Sequence, residues 1–172
     1  MRNLLTGISA LAAAWLATVL ATSCNTTGCT ENRSSVPLAD FCNSADGKSV
    51  TLDSLQIYGV GAPGDSLILA PGTAASQVYL PLRPDFASTS FCIAYKYKDL
   101  DDAAHNDTVT IDYTAHPWFA DSECGAMYRY TITGCRNTGH IIDSVAVSDP
   151  NVTNIGLTNL KLYFAVSTDT PS

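Results

Sequence analysis

The stretch Thr108-Val-Thr-Ile-Asp-Tyr-Thr114 decides the fold class of this chain. Its large apolar side chains occur at every second position, and polar side chains stand between them. Successive side chains of an extended strand point to opposite faces, so this alternation predicts a strand with one buried and one solvated face. The predicted inward residues are Val109, Ile111 and Tyr113.

The same period of two recurs through most of the chain. Residues 91–98, 128–133 and 159–166 alternate in the same way, and shorter apolar runs predict strands near 50–58, 66–69, 77–80 and 141–147. Stretches rich in glycine, proline and asparagine separate them. About eight strands without a helical pattern predict an all-β fold, an antiparallel β-sandwich that is Ig-like or jelly-roll-like. The predicted core includes Ile93, Tyr95, Val109, Ile111, Tyr130, Ile132, Leu160, Leu162 and Phe164.

The first 24 residues have the layout of an export signal. Met1-Arg2-Asn3 carries one positive charge, Leu4–Ala21 is mostly apolar, and Ala21-Thr-Ser-Cys24 is a run of small residues that ends in cysteine. This is a signal-peptide layout, and its end resembles the bacterial lipoprotein signal, in which the cysteine becomes the acylated N-terminus. We therefore expect lipidation of Cys24, with acyl chains such as palmitate holding the protein on a membrane. An ordinary cleaved signal and a retained membrane anchor are the alternatives.

The chain is predicted to contain one folded domain. Residues 1–23 form the signal peptide, 24–28 a lipidated tether, 29–167 a single β-sandwich domain and 168–172 a tail. Nine lysine and arginine residues stand against 16 acidic residues, which gives a net charge of −7. An acidic domain is a poor binder of the phosphate backbone, so we expect no nucleic-acid partner.

Two motifs have spacings like those of cofactor or metal sites, but the residues around them do not fit such sites. Gly59-Val-Gly-Ala-Pro-Gly64 has the spacing GxGxxG, but a predicted strand follows it instead of the helix that a dinucleotide site requires, so a loop between strands is predicted. Asp99, Asp101, Asp102 and Asp107 lack the closing glutamate of a calcium loop. They predict a solvated acidic loop, with another kind of calcium site as the alternative. No cysteine and histidine spacing is that of a zinc site, so we expect no metal and no cofactor.

The best candidate for a binding surface is Tyr113-Thr-Ala-His-Pro-Trp-Phe119. It places Trp118 beside Phe119 near the end of a predicted strand. If these rings are exposed, they could stack on a sugar or anchor a protein partner. The alternative is that they close the end of the sandwich as part of its core.

Motifs along the whole predicted domain resemble one family. They are Cys29–Leu38, Asp53–Ser66, Val78–Pro81, Glu123–Tyr128, His140–Ser144 and Leu160–Phe164. Together they are similar to a family of uncharacterised lipoproteins from Bacteroides-type bacteria, the domain-of-unknown-function 6452 family. The resemblance implies a lipid-anchored envelope protein with an all-β domain, and it implies no reaction.

Six cysteines are present, and five remain for pairing if one carries lipid. An oxidising compartment favours disulfides, and buried free thiols are the alternative. Cys29 and Cys124 lie within motifs of the family, just outside predicted strands, and we expect a disulfide between them. Cys42 and Cys135 are the tentative second pair, which would leave Cys92 as a buried strand thiol.

Two classes of function follow from these observations. The first is a non-catalytic binding or assembly component of the cell envelope, with an envelope protein or a glycan as partner. The alternative is an envelope enzyme that acts on glycan or peptide, and a cleft holding convergent titratable groups would favour it. The residues after Cys24 lack the acidic cluster expected of surface-exported lipoproteins in these bacteria. The resemblance therefore implies the outer membrane, with the domain facing the periplasm.

Overall fold

Two β-sheets pack face to face in the computed structural model, which describes residues 35–64, 66–121, 125–153 and 156–165. The described residues belong to one compact unit of the chain. The strands are β1 (Leu38–Asn43), β2 (Leu55–Gly59), β3 (Leu67–Leu69), β4 (Gln77–Tyr79), β5 (Ser88–Tyr95), β6 (Asp107–Asp121), β7 (Gly125–Asn137), β8 (Ile142–Val147), β9 (Asn151–Val152) and β10 (Thr158–Phe164). The predicted β-sandwich is confirmed.

One sheet has four strands in the order β4-β1-β10-β8, and the other has six in the order β3-β2-β5-β6-β7-β9. Neighbouring strands are antiparallel except β1 and β10, which run parallel in the middle of the four-stranded sheet. The antiparallel arrangement that the sequence predicts therefore holds for the other named strand pairs, and β1 with β10 is the exception. The two strands come from opposite ends of the domain, and no local sequence pattern reports such a pairing.

The core lies between the two sheets and contains the residues predicted from alternation. All nine of those side chains are buried, and the rings of Phe41 and Phe164 meet edge to face with centroids 5.3 Å apart. Phe41 belongs to β1, a strand that alternation does not predict because apolar and polar residues alternate only weakly in Leu38-Ala-Asp-Phe-Cys-Asn43. The strand β9 is likewise unexpected, since it lies in one of the stretches with proline and asparagine that separate the predicted strands.

The six-stranded sheet is buried on more than its inner face. Cys92 and Ala94 of β5 are buried although they alternate with the inward residues. A 3₁₀ turn, Ala103–His105, contacts this strand. Thr110, on the expected outer face of β6, is also buried, and its hydroxyl lies 2.8 Å from that of Ser90. The strand β5 ends at Tyr95, so Tyr97, which the alternation groups with it, is exposed.

The strands β6 and β7 are much longer than predicted. Alternation predicts strands over 108–114 and 128–133, whereas the two strands form one hairpin that continues to Asp121 and restarts at Gly125. Trp118 and Phe119 therefore lie within β6 and not after its end. This extension decides where the candidate site lies.

Candidate functional site: the projecting hairpin

The outer part of the β6–β7 hairpin extends past the rest of its sheet. β5 pairs with β6 only as far as Asp112, and β9 pairs with β7 only at Tyr130 and Thr131. In the described part of the chain, residues 114–121 and 125–129 therefore pair only with each other. We call these residues the projecting hairpin. Eight extended residues span about 25 Å at roughly 3.3 Å per residue, so this ribbon is a prominent feature of the surface.

Proline at position 117 suits the free edge of this ribbon. The amide N–H of Tyr113 points away from β7, because it donates to the carbonyl of Ala87 at 2.9 Å. No bulge interrupts residues 113–117, so position 117 faces the same way, where proline removes an N–H that no neighbouring strand requires. Proline on an edge also discourages the addition of a foreign strand. The β6 edge of the ribbon is therefore poorly suited to pair with a partner's strand.

The two faces of the projecting hairpin differ in character. The inner face continues the core-facing side of the sheet, and it carries Pro117, Phe119 and Tyr128 beyond the buried Tyr130. The side chain of Phe119 is 67% exposed and that of Tyr128 is 36% exposed. Large apolar rings with this exposure are typical of contact surfaces and not of a closed core. The alternative that Phe119 plugs the end of the sandwich is thus wrong.

The outer face of the ribbon carries His116, Trp118, Arg129 and the buried Met127, which pairs with Trp118. The guanidinium carbon of Arg129 lies 3.9 Å from the centroid of the Trp118 ring, a cation–π contact. Arg129 forms no ion pair with any other described residue. Nε2 of His116 lies 3.2 Å from the hydroxyl of Thr131. The Trp118 ring is thus half-buried and stacked against Arg129, whereas the ring of its neighbour Phe119 is exposed.

Two tyrosines hold the base of the ribbon. The hydroxyl of Tyr113 donates to the carbonyl of Arg83 at 2.8 Å and accepts from the amide of the same residue at 3.1 Å. It also lies 2.7 Å from the hydroxyl of Thr89. Tyr130 packs edge to face on Tyr113 with centroids 5.4 Å apart, and burial raises the pKa of Tyr130. A two-stranded ribbon alone is marginally stable in water, so this fixed base positions the exposed rings.

A buried carboxylate at the other end of β6 is the main feature that sequence reasoning missed. Asp107 is fully buried, contrary to the prediction of a solvated acidic loop. It accepts five hydrogen bonds, each 2.8 Å long, from the hydroxyls of Tyr95 and Thr138 and from the amides of His140, Ile141 and Ile142. This carboxylate therefore fixes the segment in which the chain crosses from β7 to β8, that is, from one sheet to the other. In the sequence, the only hint that Asp107 is buried is its position directly before an alternating run, and that signal is weak.

The electrostatics of Asp107 follow from its surroundings. Burial alone would raise its pKa, but the amides of His140, Ile142 and Ile141 and the hydroxyl of Tyr95 hold the pKa below its usual value. Burial and the bond to this carboxylate raise the pKa of Tyr95 far above the ordinary tyrosine value. The carboxylate is thus ionised and its acceptor positions are occupied. Its role is structural, because no free lone pair is directed at a substrate.

The cysteines with described structure are all free thiols. Cys42 and Cys92 are buried and Cys135 is half-buried, so the tentative Cys42–Cys135 disulfide is not formed. The two residues lie on different sheets, and the thiol of Cys135 donates to the carbonyl of Val145 at 3.5 Å. Cys92 is a buried strand thiol, as expected. Cys24, Cys29 and Cys124 lie outside the described residues, so lipidation and the Cys29–Cys124 disulfide stay predictions.

The remaining motifs have ordinary positions. The loop 59–64 joins β2 to β3, and Gly61 and Gly64 adopt positive φ there, as the loop prediction requires. Asp101 pairs with Lys96 at 2.6 Å. No group of three or more histidine, cysteine or acidic side chains suited to a metal occurs among the described residues. In the same part of the chain, no helix is long and apolar enough to cross a membrane.

These features define a β-sandwich protein with an aromatic hairpin that projects from one sheet. The model of a family of unknown function, DUF6452, matches residues 54–164. The chain therefore belongs to this family. The match runs from just before β2 to the end of β10 and leaves β1 outside it. No curated protein and no solved structure matches the chain.

Proposed function

We propose that this protein is a lipid-anchored, non-catalytic binding component of the cell envelope that holds a partner protein through the projecting hairpin. The observation that carries the proposal is the exposure of Phe119 and Tyr128 on a ribbon with a fixed base. Aromatic residues are over-represented among the side chains that dominate binding energy. The position of both rings beyond the sandwich makes them accessible to a partner.

The shape of the ribbon favours a protein partner over a glycan. Small ligands bind in concave sites, whereas the projecting hairpin is convex and suits insertion into a groove of another protein. A sugar that stacks on Trp118 would have to share the ring with Arg129, whose guanidinium already covers one face. Glycan binding to the free Phe119 ring is the second outcome that the experiment below distinguishes.

The arrangement around Asp107 supports a non-catalytic role. Asp107, its fully buried carboxylate, is occupied by five structural donors. An enzyme that acts on glycan or peptide needs titratable groups that converge in a cleft and face the substrate. The buried acid instead serves the link between the two sheets.

Cys24 is the proposed site of lipid attachment. The run Ala21-Thr-Ser-Cys24 after an apolar segment favours acylation of this cysteine, and two or more acyl chains anchor a protein stably. The residues Asn25-Thr-Thr-Gly28 carry no acidic side chain, which favours the periplasmic face of the outer membrane. We expect Cys24→Ala to accumulate as precursor or to enter the soluble fraction. Unmodified Cys24 in wild-type protein from the soluble fraction would contradict the proposed lipid attachment.

Co-purification of tagged protein from envelope fractions tests the partner surface. Phe119→Ala should lose the partner with little change in melting temperature, because the side chain is 67% exposed. Tyr79→Ala on the edge strand β4, where the ring is 52% exposed, is the matched control and should retain it. Equal recovery of the partner by both variants would refute the surface. Retention of envelope glycan in place of protein, lost in Phe119→Ala alone, would assign the ring to sugar binding.

A further inference from the structure

We propose that a cavity at the end of the sandwich opposite the projecting hairpin binds the alkyl chain of an amphiphile whose head group donates hydrogen bonds, such as an alkyl amine or alcohol. This end is where β5 finishes at Tyr95 and β10 finishes at Phe164, whereas the hairpin lies beyond the start of β5. The site is separate from the partner surface, and its occupation does not depend on the function proposed above.

The cavity has the size and lining of a small-molecule site. Its volume is about 410 Å³, within the range of roughly 300–1,000 Å³ found for ligand pockets. Leu55, Tyr95 and Phe164 are buried side chains that form its deep part, and Leu52 and Ile141 line its sides. Burial of a methylene group on such a surface is worth about 0.8 kcal/mol. An alkyl chain therefore fits this lining better than a polar ligand does.

The buried side chains that line the cavity in the described part of the chain offer no free hydrogen-bond donor. Leu55 and Phe164 carry no polar side-chain atom, and the hydroxyl of Tyr95 is used in the 2.8 Å bond to Asp107, which does not line the cavity. A ligand atom placed there would have to be apolar, because a polar atom would lose its bonds to water and gain none. The tail of an amphiphile meets this requirement.

The connection between β5 and β6, residues 96–106, passes beside the cavity and is longer than a hairpin requires. Adjacent antiparallel strands such as β5 and β6 need only about 2–5 connecting residues, yet residues 96–106 join them. The excess forms the 3₁₀ turn Lys98–Leu100, which places Leu100 against the cavity. Lys98 adopts a φ of 31°, a conformation that side chains rarely take and that is found at ligand clamps. Lys96 and Asp101 form an exposed ion pair across this turn.

The charge at the mouth of the cavity, where its lining is exposed to solvent, determines which head group of an amphiphile is favoured. The exposed carboxylate of Asp53 lines the cavity and accepts a hydrogen bond from the hydroxyl of Ser54 at 2.9 Å. Among the described residues, Asp53 is the only charged one in this lining, whereas Lys96, which pairs with Asp101, and Lys98, whose ammonium lies 5.7 Å from the Tyr97 ring centroid, are not part of it. A carboxylate head would therefore face a like charge, whereas an ammonium or hydroxyl would find an acceptor.

Photoaffinity labelling tests the site on the full-length protein in vesicles. Three decyl probes with a terminal diazirine differ only in an amine, alcohol or carboxylate head. The amine should label the peptides that hold residues 52–55 and 95–100 roughly tenfold more than the carboxylate, a difference of about 1.4 kcal/mol. The alcohol should fall between them. Equal labelling by all three probes, or labelling confined to other peptides, would overturn the proposal.

Substitutions at the mouth sharpen the test. Asp53→Lys should reverse the preference toward the carboxylate probe, because it exchanges the charge beside the head group. Asp85→Lys makes the same charge change in the loop at the opposite end of the sandwich and should leave the preference unchanged. Ala165→Phe, at an exposed wall residue, should reduce labelling by all probes, and Ala146→Phe on β8 is its control. Each variant is first checked for an unchanged melting temperature, and an Asp53→Lys protein that keeps the wild-type preference refutes the head-group assignment.

Discussion

Replacement of Asp107 by alanine should destabilise the sandwich more than any single surface change. The substitution removes the acceptor of five hydrogen bonds, two of which come from groups without access to water, the hydroxyl of Tyr95 and the amide of Ile142. A buried donor without a partner costs about 1–3 kcal/mol, and a lost bond to a charged group costs about 1.5–3 kcal/mol. Water can replace the bonds to the exposed Thr138 and His140. We therefore expect a loss of about 3–6 kcal/mol.

Urea unfolding followed by circular dichroism measures this loss. At roughly 3–4 °C per kcal/mol for a domain of this size, the melting temperature should fall by about 10–20 °C. Asp107→Asn should cost less, about 1–3 kcal/mol, because its amide oxygen can still accept on one side. Asp112→Asn is the control on the same strand. It breaks only an exposed ion pair with Arg136, worth about 0–1 kcal/mol. The reasoning is refuted if Asp107→Ala costs no more than this control.

The pH dependence of the same variants gives an independent check. The folded state holds the pKa of Asp107 below its usual value. A lowered carboxyl pKa adds stability above the unfolded pKa of about 4, and that stability is lost as the pH falls through the folded pKa. The difference in free energy of unfolding between wild type and Asp107→Asn should therefore narrow below about pH 4. A difference that stays constant from pH 7 to pH 3 would contradict a charged Asp107.

Three further predictions concern the core and the cysteines. Ile111→Ala should cost about 2–5 kcal/mol in urea unfolding, because the side chain is fully buried, and a cost below 1 kcal/mol would contradict its place in the core. Burial raises the pKa of the Cys42 and Cys135 thiols. Iodoacetamide should therefore modify these thiols slowly in folded protein and rapidly in urea. Rapid modification without urea would refute this prediction. Non-reducing peptide mapping should recover Cys29 linked to Cys124. If both cysteines are found as free thiols in protein isolated from the envelope, that disulfide is ruled out.

The position of the candidate surface could be predicted only in part. Residue type and proximity to a strand marked Trp118 and Phe119 as candidates, and Phe119 is exposed as a contact residue would be. The sequence pattern could not separate a core plug from a surface, because both readings require the same aromatic residues. Tyr128 was missed as a surface residue. Its exposure results from the distance between its position in the hairpin and the ends of β5 and β9.

Alternation by itself determined the class of fold and the identity of the core. Ile93, Ile111 and Leu162 are fully buried as predicted, because the period of a strand is a local property written in consecutive residues. The loop 59–64 is similarly local, since glycine and proline restrict only their own backbone. These features need no knowledge of which strands become neighbours.

Tertiary structure alone decided the features that depend on neighbours distant in sequence. The parallel pairing of β1 with β10, the burial of Asp107 and the cavity lined by Leu52 and Phe164 each join residues from separate parts of the chain. An aspartate in a polar run is exposed by default, and it becomes a structural acceptor only when amides from the β7–β8 connection are directed at it. Strand order and loop closure place those donors, and neither is encoded in a local period.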